Sequence, residues 1–284
     1  VVDAMRRPGV NLVLGYNTAL FSALLRLRGR AILMNMDGVE WKRAKWSLPV
    51  RAWFYANEFI GVNVASVPIA DHPEIARHLR RHTWRRIEMV PYGSDEVKDW
   101  PAGPVRALGL SPRGYVVSIA RIEPENSILE IVRAFSARPR NFKLVVLGNM
   151  AGGNPYHGKV RAAASPDVVF PGAIYEPAVV IALRAHALAY VHGHQVGGTN
   201  PSLVEALGVG SAVIAHDNRF NRWVAGPAQF YFADAAALMA LMDALDGGRL
   251  DLDTARGAAR ERHLESFTVD AVSHQYEALL ERFA

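Results

Sequence analysis

Strand-length apolar stretches alternate with helix-patterned segments along this whole chain, and few folds accommodate that alternation. A strand followed by a helix and then another strand builds a βαβ unit, whose strands pair in parallel and bury both faces. In the first part the strand candidates are residues 11–15, 31–36, 62–67 and 87–90. Residues 91–114 are rich in Pro, Gly and charge and read as an interdomain connection. A second alternating series follows, with strands at 115–120, 142–147, 168–170, 188–191 and 212–215. Helices are predicted to begin near Glu125, Glu176 and Pro201, and the chain closes with helices near Asp234, Asp251 and Val269. The reading is α/β, with two doubly wound domains that place a ligand in the cleft between them, at the carboxyl ends of the strands.

Composition narrows the setting. Half of the 284 residues are apolar, enough for a sizeable core, and there is no cysteine for a disulfide or a thiolate metal site. The nearest approach to a membrane-spanning run, residues 54–70, is broken by Asn57, Glu58 and Asn63. A cytoplasmic protein is expected. Residues 1–90 carry 14 Lys/Arg against 7 Asp/Glu, whereas the remainder carries 18 against 20. That imbalance suits either a merely solvated basic face or contact with something anionic, such as a membrane surface or a phosphate-bearing carrier.

Three constellations carry chemistry. The first, Ser118-Ile119-Ala120-Arg121-Ile122-Glu123-Pro124-Glu125-Asn126, runs from a strand into a helix start. An Arg there can hold a diphosphate with its planar fork, or serve as a salt-bridge partner. The second is His192-Gly193-His194-Gln195-Val196-Gly197-Gly198-Thr199-Asn200-Pro201-Ser202-Leu203-Val204-Glu205. Its Gly-Gly loop and Pro at the first helical position free backbone N–H groups for a phosphate or sugar hydroxyls, and Glu205 lies where it can accept bonds from a ribose diol. A tight turn and a solvated helix residue would explain the same letters. His192 and His194 are expected on opposite sides of an extended segment, and with no Cys/His/Asp cluster at ligand spacing no metal site is expected. The third is Asn35-Met36-Asp37-Gly38-Val39-Glu40-Trp41-Lys42-Arg43-Ala44-Lys45-Trp46, whose aromatic and charged groups suit a carbohydrate. No dinucleotide or P-loop fingerprint and no nucleic-acid motif occurs.

These pieces, with Ala70-Asp71-His72-Pro73 and Pro91-Tyr92-Gly93, resemble the retaining GT-B glycosyltransferases. Within them they are most similar to the bacterial rhamnosyltransferase-like branch of polysaccharide biosynthesis. The resemblance implies two Rossmann-like domains, residues 1–92 on the acceptor side and 93–263 holding the nucleotide-sugar, with 264–284 packing back toward the first. It implies Arg121, Asn126 and Thr199 at the reacting diphosphate. Gly197, Gly198, Thr199, Asn200, Ser202 and Glu205 would line the donor, with Ile174 and Tyr175 near the base. Asp37, Glu40, Trp41 and Arg43 would face the acceptor. The implied activity is metal-free and cofactor-free transfer of a sugar, L-rhamnose from dTDP-L-rhamnose, to a glycan or lipid-linked glycan.

This chain departs from the family in two donor-side charges. Asn126 stands where the wider family has Lys, and Gly197 where it has Glu. No counterpart of the family's first strand and Gly-rich loop precedes Asn11, so the N-terminal domain is expected to be incomplete. The rival readings are transfer from another nucleotide-hexose, or a non-catalytic protein that binds nucleotide-sugar or nucleic acid.

Overall fold

The computed structural model describes Arg6, residues 9–43 and residues 45–283, which fold as two compact units. One takes the residues up to Gly93, Gly197–Thr199 and the segment from Val269 onward; the other takes Ser94–Val196 and Asn200–Thr268. Both are α/β with parallel sheets.

In the first unit β1 (Asn11–Leu14), β2 (Ile32–Asn35), β3 (Val67–Ala70) and β4 (Glu88–Met89) pair in that order, all parallel. β2 and β3 are buried along their whole length, as expected of central strands covered on both faces. The helix Val269–Glu281 sets Val272 and Leu279 against Leu33, Val67, Ile69 and Val90, so the end of the chain completes this core. The strand expected at 62–67 is corrected. Val62 belongs to the helix Leu48–Val64, whose buried residues Asn57, Glu58, Gly61 and Val62 recur at helical spacing, and the strand starts at Val67. The polar letters in that run mark a helix with a mixed buried face.

The second unit is a six-stranded sheet of β5 (Tyr115–Ile119), β6 (Lys143–Leu147), β7 (Val168–Gly172), β8 (Tyr190–His192), β9 (Val213–His216) and β10 (Phe230–Phe232), in the order β10-β9-β8-β5-β6-β7. This is the doubly wound arrangement, with its switch point between β5 and β8. Successive strand residues enter opposite cores. Val116, Leu144 and Val146 pack with Ile128, Ile131, Val132 and Phe135 on one face, while Val117, Val145 and Leu147 pack with Leu203, Val204 and Leu207 on the other. β10 escapes the sequence reading because three residues are too few to show a period. The helix expected near Glu125 begins at Ile128, after a 3-10 turn at Pro124–Asn126, because Ser127 takes a left-handed φ of 52°. Among the described residues no helix is long and apolar enough to cross a membrane.

Candidate functional site

In the second unit β5 runs out through Ala120 and Arg121 into the Pro124–Asn126 turn, and two side chains fix this loop. Asn126 is buried and donates from Nδ2 to the Arg121 carbonyl at 2.8 Å, while Ser127 Oγ donates to the Gly193 carbonyl at 2.8 Å. Only glycine permits that approach: a Cβ on Gly193 would stand 2.2 Å from the Asn126 carbonyl oxygen. The Arg121 side chain is 60% exposed, with Glu123 and Glu125 oxygens at 3.6 and 3.8 Å. Open, long pairs of this kind hold a guanidinium weakly, so an anion can claim it.

Beside Arg121 lies a cavity of about 390 Å³ whose lining includes Asn149, Asn154, His157, Ile174 and Tyr175. It opens at the carboxyl ends of β5, β6 and β7, where α/β sheets take ligands. Asn154 caps the helix Pro155–Ala162, accepting from the Tyr156 and His157 N–H groups at 2.9 and 3.4 Å. His157 is buried, its ring nitrogens facing the Ile122 and Ala151 carbonyls at 3.0 and 3.3 Å. Tyr175, by contrast, is 87% exposed and offers an open aromatic face.

The helix Pro201–Gly208 follows β8, with Asn200 capping it by accepting from the Ser202 N–H at 3.0 Å. Ser202 Oγ bonds the Tyr190 hydroxyl at 2.7 Å and accepts from Arg184 Nη2 at 2.9 Å. It also donates to the carbonyl of Ile119, which lines the cavity, at 3.3 Å. Arg184 is buried and pairs with Glu205, whose side chain remains 44% exposed. A buried cation thus aims a carboxylate that still reaches solvent. His192 and His194 share a side: their rings stack 4.3 Å apart with planes at 12°, which corrects the sequence expectation, since residues two apart on an extended segment face the same way. Burial first, then the charges of His194, Arg184 and His216, hold His192 well below the usual imidazole range, so it is neutral.

The first unit gathers the rest. The Thr199 N–H donates to Asp71 Oδ2 at 2.8 Å, and the Thr199 hydroxyl donates to the Asp71 carbonyl. A Cβ on Gly198 would fall 2.3 Å from the same carboxylate, so this crossing of chain segments requires glycine. Burial, reinforced by the charge of Asp37 and opposed by the Thr199 N–H, pushes the Asp71 carboxyl up to about 7. Asp37 sits in the left-handed region at φ 48°, its N–H held by Asn35 Oδ1 at 2.9 Å, and lines a cavity of about 340 Å³ with Tyr92 and Tyr276. Glu40 accepts from Trp46 Nε1 at 3.3 Å and pairs with Arg43 at 3.0 Å. Trp41 donates its indole N–H to Glu58 Oε2 at 3.1 Å and packs edge-on against Tyr55.

A family described as a domain of unknown function (DUF1972) matches residues 11–95. No curated protein sequence is significantly similar to the chain. Solved structures are similar over almost its whole length. Sucrose-phosphate synthase from Thermosynechococcus elongatus superposes with a TM-score of 0.77 at 17% identity, covering 95% of this chain and 72% of that one. HepE from Anabaena, in complex with UDP, gives 0.81 at 15%, covering 99% and 80%. An alpha,alpha-trehalose-phosphate synthase (UDP-forming) from Burkholderia vietnamiensis gives 0.73 at 14%, covering 99% and 76%. The chain has the GT-B fold.

Within the second unit of this GT-B fold, Arg121, Ile174 and Tyr175 line one cavity, and Asn200, Ser202 and Glu205 belong to a network that touches its floor at Ile119. Asn126 does not line that cavity, its amide being turned back onto the Arg121 carbonyl. Gly197, Gly198 and Thr199 group with the first unit, where Asp71 engages both the amide and the hydroxyl of Thr199. Of the four residues expected on the acceptor side, Asp37 lines the first unit's cavity, whereas Glu40 pairs with Arg43 and accepts from Trp46, and Trp41 bonds Glu58. Sequence reasoning passed over Asn154 and Arg184. Asn154-Pro155 is a helix-start signature and was legible; Arg184 lies inside the helix Pro177–Ala185 with nothing in its neighbours to set it apart.

Proposed function

We propose that this chain is a glycosyltransferase that takes a sugar from a nucleotide diphosphate-sugar and passes it to a glycan or lipid-linked glycan, with retention of configuration. The observation that carries the reading is the cavity at the carboxyl ends of β5 to β7, where the weakly held Arg121 guanidinium stands beside Ile174 and the open face of Tyr175. An anionic diphosphate meets the guanidinium, and a base lies against the aromatic and aliphatic wall. In support, HepE, of the same fold, has been solved in complex with UDP and with UDP-glucose. Positive charge at Arg121 favours departure of the diphosphate as the acceptor hydroxyl attacks on the same face.

In the same proposal Glu205 bonds the nucleotide ribose, its carboxylate aimed by Arg184. Glu205→Gln keeps the shape and one acceptor but loses the charge, so dTDP or UDP should bind about 1 kcal/mol more weakly. Inorganic pyrophosphate, having no ribose, should bind as before. Calorimetry with both ligands checks this, and equal losses would remove Glu205 from ribose recognition.

The donor we propose is dTDP-L-rhamnose, on the resemblance of the Asp37-Gly38-Val39-Glu40-Trp41, Glu125-Asn126 and Gly197-to-Ser202 segments to the rhamnosyltransferase-like branch. A methyl in place of a hydroxymethyl is worth only about 1–3 kcal/mol in a pocket, so hydroxyl and base contacts must carry most of the selectivity. A panel of nucleotide-sugars in a hydrolysis or transfer assay should place dTDP-L-rhamnose first. A UDP- or GDP-hexose turned over as well or better removes the donor and leaves glycosyl transfer standing.

A further inference from the structure

The Leu48–Val64 helix carries a carboxylate at a place where it has no obvious business. Glu58 is 1% exposed, yet it is a side chain that water holds strongly and that a protein interior takes in only with partners. Its partners are imidazoles. His78 Nε2 lies 2.7 Å from Glu58 Oε1, and His82 Nε2 lies 3.7 Å from the same oxygen. The other oxygen accepts the Trp41 indole N–H at 3.1 Å, which fixes the plane of the carboxylate. His78 lies in the last turn of the helix Pro73–Leu79, and His82 sits on the turn beyond it, held by the bond from its N–H to the Leu79 carbonyl at 2.9 Å. Four residues of separation across that turn bring both rings to one side, with centroids 5.2 Å apart. Tyr55 and Phe59 wall the cluster, packing edge-on to the His82 ring at 5.8 and 6.2 Å.

From this geometry we infer a divalent transition-metal site, of the kind Zn²⁺ takes, made by Glu58, His78 and His82. One ligand atom from each lies within 4.8 Å of the others. Bonds of about 2.0–2.2 Å around a tetrahedral zinc set ligand atoms about 3.3 Å apart. The two separations from Glu58 Oε1, 2.7 and 3.7 Å, bracket that value, and no pair of ligand atoms is more than 4.8 Å apart, so small rotations of the side chains close the three around an ion. Two imidazoles and one carboxylate are the donor set that zinc accepts with its fourth position left to water, and the Trp41 N–H orients the carboxylate as outer partners of metal ligands do. The ion displaces the proton shared between Glu58 and His78.

The site has a structural consequence. It clamps the Leu48–Val64 helix to the end of the Pro73–Leu79 helix, and through the Trp41–Glu58 bond it fixes the turn Glu40–Lys42 that follows Asp37. The sequence reading saw no cluster at ligand spacing because the third ligand comes 20 residues before His78.

The test is a titration of the full chain, produced without a histidine tag and freed of metal by a chelator, with Zn²⁺ in competition with a chromophoric chelator. One tight equivalent is expected, together with a rise in thermal midpoint on adding Zn²⁺. His82→Ala and Glu58→Gln should each weaken Zn²⁺ binding by a hundredfold or more, and Trp41→Phe by about tenfold, the lower end for loss of an outer partner. His274→Ala, removing an exposed histidine on the last helix, should leave both readouts unchanged. His82 lies on a partly exposed turn, so His82→Asn serves if burial of Glu58 makes its variant unstable. Absence of a tight equivalent in the unaltered chain, or the same affinity in a folded His82 variant, overturns the proposal.

Discussion

Asp71→Asn should make the protein less sensitive to pH and more stable in mild alkali. The Asp71 carboxyl is pushed from 3.8 up to about 7, chiefly by burial. A group that holds its proton to a higher pH in the folded state than in the unfolded one favours folding at low pH. The folded state then binds more protons across the window from 3.8 to about 7, so stability falls as pH rises through it and stays lower above. At about 1.4 kcal/mol per unit, the full effect is on the order of 4 kcal/mol. The amide substitute carries no proton to lose and still offers an oxygen to the Thr199 N–H. Histidines held below their usual range, His192, His216 and His263, favour folding as pH rises, but they are common to both proteins and cancel in the difference. Urea unfolding at pH 5, 6, 7 and 8 should therefore show the variant gaining on the parent as pH rises. Parallel stability curves would mean that Asp71 ionises at an ordinary carboxylate pH despite being buried.

Arg121→Ala should weaken nucleotide diphosphate binding by roughly 1.5–3 kcal/mol, the range for hydrogen bonds to charged groups. The loss has two parts. The guanidinium disappears, and Glu123 and Glu125, whose oxygens lie within 4 Å of it, are left facing the phosphates without it. Arg121→Lys should recover only part of the affinity, because an ammonium keeps the charge and loses the planar fork. The fold should be unaffected, since the side chain is mostly exposed and the loop is pinned by Asn126 and Ser127. Calorimetry with UDP and dTDP decides it, and unaltered affinity in the alanine variant would take Arg121 out of the donor site.

How much of this was legible in the sequence depends on how local each feature is. Alternating apolar runs and helix-start residues are properties of a few consecutive positions, and they sufficed for parallel α/β architecture and for eight of the strand locations, with the strand expected at 62–67 displaced to Val67–Ala70 and β10 missed. The loop from Arg121 to Asn126 and the Asn200-Pro201 helix start were likewise legible, because a strand end, a cap and a Pro at the first turn each leave a local signature.

What the sequence could not supply was which distant groups meet. Thr199 and Asp71 are 128 residues apart, and only their contact makes Gly198 obligatory and raises the carboxyl. Arg184 aims Glu205 from another helix, and Glu58 meets His78 and His82 across two helices and a turn. Residue type and spacing determined the strands and helices because backbone preference and periodicity act between neighbours. Burial, close approach and charge pairing act through space, and only the tertiary structure decided them.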